Sequence, residues 1–358
     1  NSELLLLKPA ITGGKAVMQL SRFFIGSKRR KSRPMMENTQ TFDTPDGVDA
    51  VIEPMDATGY LAPVGFEDQL EAELGDVIER HDRLMFAPGP ERRVFWAQNV
   101  WRNPVRIAIP SIKGAAKILK FNQRNWALFK FDHFSRAKLI EGHLPHVSAK
   151  RQVFSEPAPT APLGSWTLID PDTIIASADC SSPWKNGEVE FEEDKVTPPN
   201  RAYLKLWEAF TRLGAYPQAG DRTMDLGGSP GGWTWVLHEF GTDVISIDKA
   251  RLDAKIANLP RVDFRQESAF GLNPEEIGYI DWLCSDVICY PDRLFTLVNQ
   301  WIDAGMATNF ICTIKLQGDT DYSAITQFAD IPGSKVVHLY NNKHELTWMK
   351  VPGVTDQD

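Results

Sequence analysis

The chain has 358 residues, 42% hydrophobic and 24% charged, which is enough for two domains with sizeable cores. No apolar run approaches the roughly twenty residues of a membrane-spanning helix, which argues against a membrane protein. Cys180, Cys284, Cys289 and Cys312 lack the paired spacing of a zinc site and read as reduced thiols of a cytoplasmic protein, while the net charge of −8 argues against nucleic acid only as an average.

Residues 1–58 are poor core material and read as a leader. Leu4–Leu7 is too short to span a membrane, and Lys28–Lys31 is a basic cluster. Met35 and Met36 follow as natural starts, so the residues before them resemble a leader or translated upstream sequence. A signal peptide is disfavoured, because the charge follows the apolar part and no small-residue cleavage site stands out.

Residues 59–177 read as a smaller α+β domain. Strands are expected at 59–64, 93–97, 105–109, 126–131, 166–169 and 173–176. Amphipathic helices are expected at 65–74 and 111–121. The proline-rich stretch 156–164 is expected to be a connection. Between Trp101 and Arg151, eleven basic side chains stand against two acids, a local +9 that leaves −17 for the remainder. Arg102, Arg106, Lys113, Lys117, Lys120, Arg124 and Lys130 are the candidate RNA contacts within that window. Trp101, Phe121, Trp126, Phe129, Phe131 and Phe134 are interleaved with them, most of them expected in the core. Local sign steers a polyanion more than the total does.

The second domain, 178–358, is expected to open with a helix at 200–210. Strands are then predicted at 223–226, 243–247, 262–265, 281–286, 309–314, 335–339 and 345–349, with helices at 232–240, 293–302 and 322–328. Such alternation predicts a mostly parallel seven-stranded sheet with an antiparallel last strand. The first strand runs into Gly227-Gly228-Ser229-Pro230-Gly231-Gly232-Trp233, and the second ends at Asp248. That is how an open α/β sheet holds a nucleoside-bearing cofactor: glycines admit the ligand to the backbone, and the acid accepts from ribose hydroxyls. Asp286 and Lys315 end later strands at the same rim, where a surface ion pair is the plain alternative.

The run Asp225-Leu-Gly-Gly-Ser-Pro-Gly-Gly-Trp233 resembles the S-adenosyl-L-methionine motif of the FtsJ-like ribose 2′-O-methyltransferases. The likeness extends to that family's Lys-Asp-Lys-Glu tetrad. Its members here are Lys205 within Arg201-Ala-Tyr-Leu-Lys-Leu206, Asp286 ending the fourth strand, Lys315 ending the fifth and Glu345 opening the last. The resemblance implies a Rossmann-like methyltransferase domain that binds S-adenosyl-L-methionine without a metal. Lys315 would stabilise a developing alkoxide, or take the proton if neighbouring cations depress its pKa. Lys205 would add positive field, Asp286 would orient Lys315 and face the methyl group, and Glu345 would orient both lysines. Asp225 would hold the glycine turn or the methionyl end, or simply cap the turn. Asp248 would hold the ribose, and Glu267 with Ser268 would meet the adenine.

Within the family, Gly65-Phe-Glu67, Ser181-Ser-Pro-Trp184 and Leu204–Phe210 are similar to the M subfamily, which acts on large-subunit ribosomal RNA. The resemblance is strong over 178–351 and weak over 59–177. It implies a THUMP-like RNA-binding front domain, and a cytidine of large-subunit (23S-type) ribosomal RNA or its precursor particle as substrate. The alternatives are a 2′-O-methyltransferase of transfer RNA or an mRNA cap, and a non-catalytic RNA-binding protein with a methyltransferase fold. Oligomeric state is not readable.

Overall fold

In a computed structural model, residues 42–148 and 150–353 are described, so Lys28–Lys31 and most of the expected leader lie outside the described residues. From Arg222 onward the apolar runs form one sheet of seven strands. These are β1 (Arg222–Leu226), β2 (Asp243–Ile247), β3 (Val262–Arg265), β4 (Ile280–Ser285), β5 (Ala307–Lys315), β6 (Ser334–Val337) and β7 (Glu345–Lys350). Their spatial order is 3-2-1-4-5-7-6. The first five are parallel, and β7 runs antiparallel to both β5 and β6. This is a Rossmann-like α/β fold.

Four longer helices cover the sheet: α1 (Tyr203–Leu213), α2 (Gly232–Glu239), α3 (Pro291–Asp303) and α4 (Tyr322–Ala329). Met224, Leu226, Leu283 and Phe310 pack in one core with Leu294, Val298 and Trp301 of α3 and Phe328 of α4. Val244, Trp282, Cys284 and Ile311 pack in another with Leu206 and Phe210 of α1 and Val236 of α2. Burial on both faces explains near-continuous apolar runs such as Trp282-Leu-Cys284 in β4 and Phe310-Ile-Cys312 in β5. Strand order reverses at β1, with β2 on one side and β4 on the other. A crevice opens at such a reversal, beyond the carboxyl ends of the strands.

The front half is two five-stranded sheets. One has the order Val51–Pro54, Val105–Ala108, Thr173–Ser177, Gly164–Asp170, Trp126–Leu128. The other has the order Asp179–Cys180, Asn99–Arg102, Ala57–Leu61, Leu84–Pro88, Glu79–His81. Residues 42–58, given to the leader on composition, belong to this fold. Val51–Pro54 pairs antiparallel with Val105–Ala108, and Phe42 packs on Trp126 at 5.8 Å. The predicted strand at 93–97 is a loop. The backbone N–H groups of Phe95 and Trp96 donate to the Glu73 carboxylate instead of to a neighbouring strand. Among the described residues no helix is long and apolar enough to cross a membrane.

This loop docks the front half onto the α3–α4 face. Tyr60, Leu70, Phe95 and Trp96 share a core with Trp301, Phe328 and Trp348. Tyr322 Oη donates to the Gln69 carbonyl at 2.7 Å. The Trp96 ring lies 5.0 Å from Phe66, 5.2 Å from His338 and 5.9 Å from His344. The His338 N–H donates to the Phe95 carbonyl. The turn from His338 to His344 is therefore gripped from the front, and from behind by the Glu208 carboxylate, which accepts from the N–H groups of Tyr340 and Asn341. Glu345 follows directly.

Burial pushes the His338 imidazole down from 6.5 to about 4. Below about pH 6.5 the unfolded chain takes a proton that the folded one refuses, so this group subtracts stability as pH falls towards 4. Denaturant midpoints measured at about pH 7 and about pH 5 should fall further apart in the wild type than in His338→Gln. Equal differences would show that the ring titrates freely.

Candidate active site

The crevice at the β1/β4 reversal is a cleft of about 420 Å³. Its lining includes Gly227, Ser229, Asp248, Glu267, Ser268, Phe270, Asp286, Val287 and Lys315. Gly227 has φ 82, a left-handed conformation that favours glycine. A Cβ there would lie 2.7 Å from Val287 Cα. The obstacle is backbone and cannot swing aside, so the glycine turn and the segment after Asp286 are packed directly together. Gly227→Ala should weaken nucleoside-cofactor binding by at least about ten-fold and destabilise the fold by roughly 1–3 kcal/mol. Calorimetric titration and a thermal melt check both effects, and an unchanged dissociation constant would separate this turn from the ligand.

Other residues of the motif build the turn rather than line the cleft. Asp225 is buried behind it, with Oδ2 accepting from Thr234 Oγ1 at 2.6 Å and Oδ1 unpartnered. Burial raises its pKa to about 7. Asp225 thus supports the turn from beneath. A Cβ on Gly228 would strike Ser246 Oγ, and one on Gly232 would strike Asn200 Oδ1. Gly231 caps α2, and Pro230 offers its carbonyl to the Asp253 N–H. Trp233 is buried and donates from Nε1 to the Ala202 carbonyl, tying the turn to the start of α1. Asp248 holds the turn from the open side: its Oδ2 accepts from the Ser229 N–H and its Oδ1 from the Ala250 N–H. Asp248 and Glu267 both face the cleft and could receive hydroxyl or amino donors of a nucleoside. Lys249, Phe270, Val287 and Arg293 also line it. The sequence reading did not select them, although each lies close along the chain to a selected residue.

The four residues drawn from distant segments come together at the cleft's edge. Lys205 Nζ donates to both Asp286 oxygens at 2.9 and 2.8 Å and to Glu345 Oε1 at 3.0 Å. Lys315 Nζ lies 2.9 Å from Asp286 Oδ1 and 3.7 Å from Glu345 Oε2. In the β5–β7 ladder Lys315 and Glu345 are direct cross-strand partners. The square has two cations and two anions. Burial works against the charge of Lys205, but Asp286 and Glu345 outweigh it and hold the ammonium above its usual range. Burial likewise opposes the Asp286 carboxylate, but Lys205 and Lys315 hold it below its usual range.

The two lysines are not equivalent. An ammonium has three donors. Lys205 directs all three at carboxylates, whereas Lys315 has one close acceptor, one distant one, and a place in the cleft wall. Lys315 is the cation with donors left for a ligand. Its charged partners are the carboxylates of Asp286 and Glu345, which Lys205 also binds.

Residues 198–317 match the FtsJ-like methyltransferase family. The chain carries an FtsJ-like methyltransferase domain. This domain is homologous to proteins named ribosomal RNA large subunit methyltransferase M. The one from Halorhodospira halophila is 34% identical over 42% of this chain and 46% of its own length. The one from Alkalilimnicola ehrlichii is 27% identical over 57% and 60%. The chain spans about half the length of the curated relatives it matches. A solved magnesium protoporphyrin IX methyltransferase from Synechocystis overlaps the fold loosely, with a TM-score of 0.28 at 15% identity over 37% of this chain and 71% of its own.

The candidate RNA contacts divide. Lys113, Lys117 and Lys120 are exposed along one face of the helix Ile112–Asn122, and Arg124 and Lys130 are exposed beyond it. Arg102 is paired with Glu91 and Asp179, and Arg106 with Glu79, all three acids lying outside the basic window. Trp101, Trp126 and Phe129 are buried; Phe121 and Phe134 are exposed.

Proposed function

We propose that the chain is an S-adenosyl-L-methionine-dependent RNA ribose 2′-O-methyltransferase acting on a cytidine of large-subunit ribosomal RNA, with Lys205, Asp286, Lys315 and Glu345 as its catalytic group. The observation that carries the reading is the closed square of these four side chains beside the glycine-turn cleft. When bound, the sulfonium supplies an electrophilic methyl carbon. The protein must then align a weak nucleophile with it and stabilise negative charge on the attacking oxygen. Lys315, with donors to spare, hydrogen-bonds the incoming 2′-hydroxyl. Asp286 and Glu345 fix that ammonium, and Lys205 locks both carboxylates. Asp248 receives the cofactor's ribose hydroxyls, and Glu267 with Ser268 meets its adenine.

RNA reaches the site from the front half, which we read as an RNA-binding, THUMP-like domain whose two sheets run from Val51 to Cys180. The face formed by Lys113, Lys117 and Lys120 tracks phosphates. The names of the homologous proteins favour ribosomal RNA over transfer RNA or a cap.

The test is transfer of labelled methyl to large-subunit ribosomal RNA, followed by digestion to nucleosides. The label should appear on a 2′-O-methylated nucleoside; label on a base, or none, would refute the reading. The double reversal Lys117→Glu with Lys120→Glu should weaken RNA binding about ten-fold or more at low salt and flatten its salt dependence, with cofactor affinity unchanged. Unaltered RNA affinity would remove this helix from the interface.

A further inference from the structure

Between Asp286 and the start of α3 lie Val287, Ile288, Cys289 and Tyr290. Their exposure alternates. Cys289 is buried, whereas Ile288 is 78% and Tyr290 65% exposed. The buried Cys289 anchors the segment inward and turns its two largest apolar side chains to solvent. Scattered exposed apolar residues are ordinary. Here, however, two occupy one short rim loop whose first residue is Asp286, and Ile288 itself lines the cleft. Arg293, the third residue of α3, lies across the Phe270 ring at 3.8 Å and also faces the cleft. Lys249 and Lys315 are further cations on the wall. An exposed acid, Asp292, adjoins Arg293 in the first turn.

We propose that the Ile288–Tyr290 rim is the platform for an unpaired RNA base next to the target nucleotide, with Tyr290 stacking on the base and Arg293 meeting the adjoining phosphate. This assignment rests on the methyltransferase reading for its location. Lys315 is recessed in the cleft wall, its side chain 20% exposed, so a nucleotide splayed from its helix is what delivers a hydroxyl there, and splayed bases need an apolar face to replace their lost stacking. A phenol ring and a branched aliphatic side chain beside a guanidinium supply that face together with the charge for a backbone. The basic helix of the front half offers phosphate contacts, and its exposed aromatic, Phe121, does not line the cleft. Single-stranded RNA, rather than a duplex, is therefore the occupant that the rim fits.

The experiment measures equilibrium binding of a short, fluorescein-labelled, cytidine-rich single-stranded RNA, and of the same strand in a duplex. Moderate salt keeps phosphate contacts from dominating. Tyr290→Ala should weaken single-strand binding about ten-fold. Tyr290→Phe should keep it within about two-fold, because a phenyl ring stacks as a phenol does. Duplex binding and S-adenosyl-L-methionine affinity should stay unchanged in both variants. Wild-type single-strand affinity in Tyr290→Ala would overturn the platform. So would an equal loss in Tyr290→Phe, or an equal loss for the duplex. Because binding needs no turnover, the two readings fail separately. A protein that loses single strands with Tyr290→Ala yet methylates no RNA keeps the platform and refutes the methyltransferase reading. One that methylates RNA equally well with and without Tyr290 does the reverse.

Discussion

Lys315→Ala is expected to lower the rate of methyl transfer by roughly 10²–10³ while S-adenosyl-L-methionine binds as before. The expectation follows from the asymmetry of the square. Lys315 lines the cleft with donors uncommitted, and its removal leaves the Lys205 bridge between Asp286 and Glu345 in place. Lys205→Ala should behave differently. It strips the closer-bound of two cations from a pair of largely buried carboxylates, leaving Glu345 with Lys315 only at 3.7 Å, and should cost about 3 kcal/mol of stability, so any loss of activity would come with a lowered melting temperature. Single-turnover transfer and calorimetric melts of both variants separate the roles. If Lys315→Ala turned over at the native rate, or if Lys205→Ala melted like the wild type, the assignment would have to be abandoned.

Trp96→Ala should destabilise the protein by roughly 3–5 kcal/mol. Its ring is fully buried between Phe66 of the front half and the two histidines that precede Glu345. The cavity would loosen the docking of both halves and the turn that delivers Glu345, so stability and methyl transfer should fall together. Trp96→Phe should recover part of each. Scanning calorimetry of the wild type should show one transition, because a single core joins Tyr60 and Leu70 to Trp301 and Trp348. Two transitions, with only the first moved by Trp96→Ala, would show that the halves melt independently.

Much of the back half was legible in the sequence. Its strands are short apolar runs stopped by glycine or by charged residues, and β2 and β3 end where the pattern places them. The antiparallel β7 follows from the short connection before Glu345, whereas the strand order came only from the structure. The identity of the square depended on resemblance, because its members are joined across 81 and 140 residues and no local pattern links them. Which lysine is committed and which is available could be learned only from the distances. In the front half, short strands such as Glu79–His81 give too few residues for a period to show. The loop at 93–97 imitated a strand because Val94, Phe95 and Trp96 are apolar, but they serve an interface rather than a ladder. Counting charges along the chain also could not show the acids that pair with Arg102 and Arg106, which arrive from elsewhere.

The pairing of Lys315 with Glu345 turns the seven residues from His338 to His344 into a gauge of length. Successive side chains of a strand point to opposite faces. Removing one residue from that turn and letting β7 slide to compensate would present Leu346 to the lysines and carry the carboxylate to the far side of the sheet. Insertions elsewhere on the surface can be absorbed by the loops that hold them. Here the spacing itself is under constraint, whatever the composition of the turn.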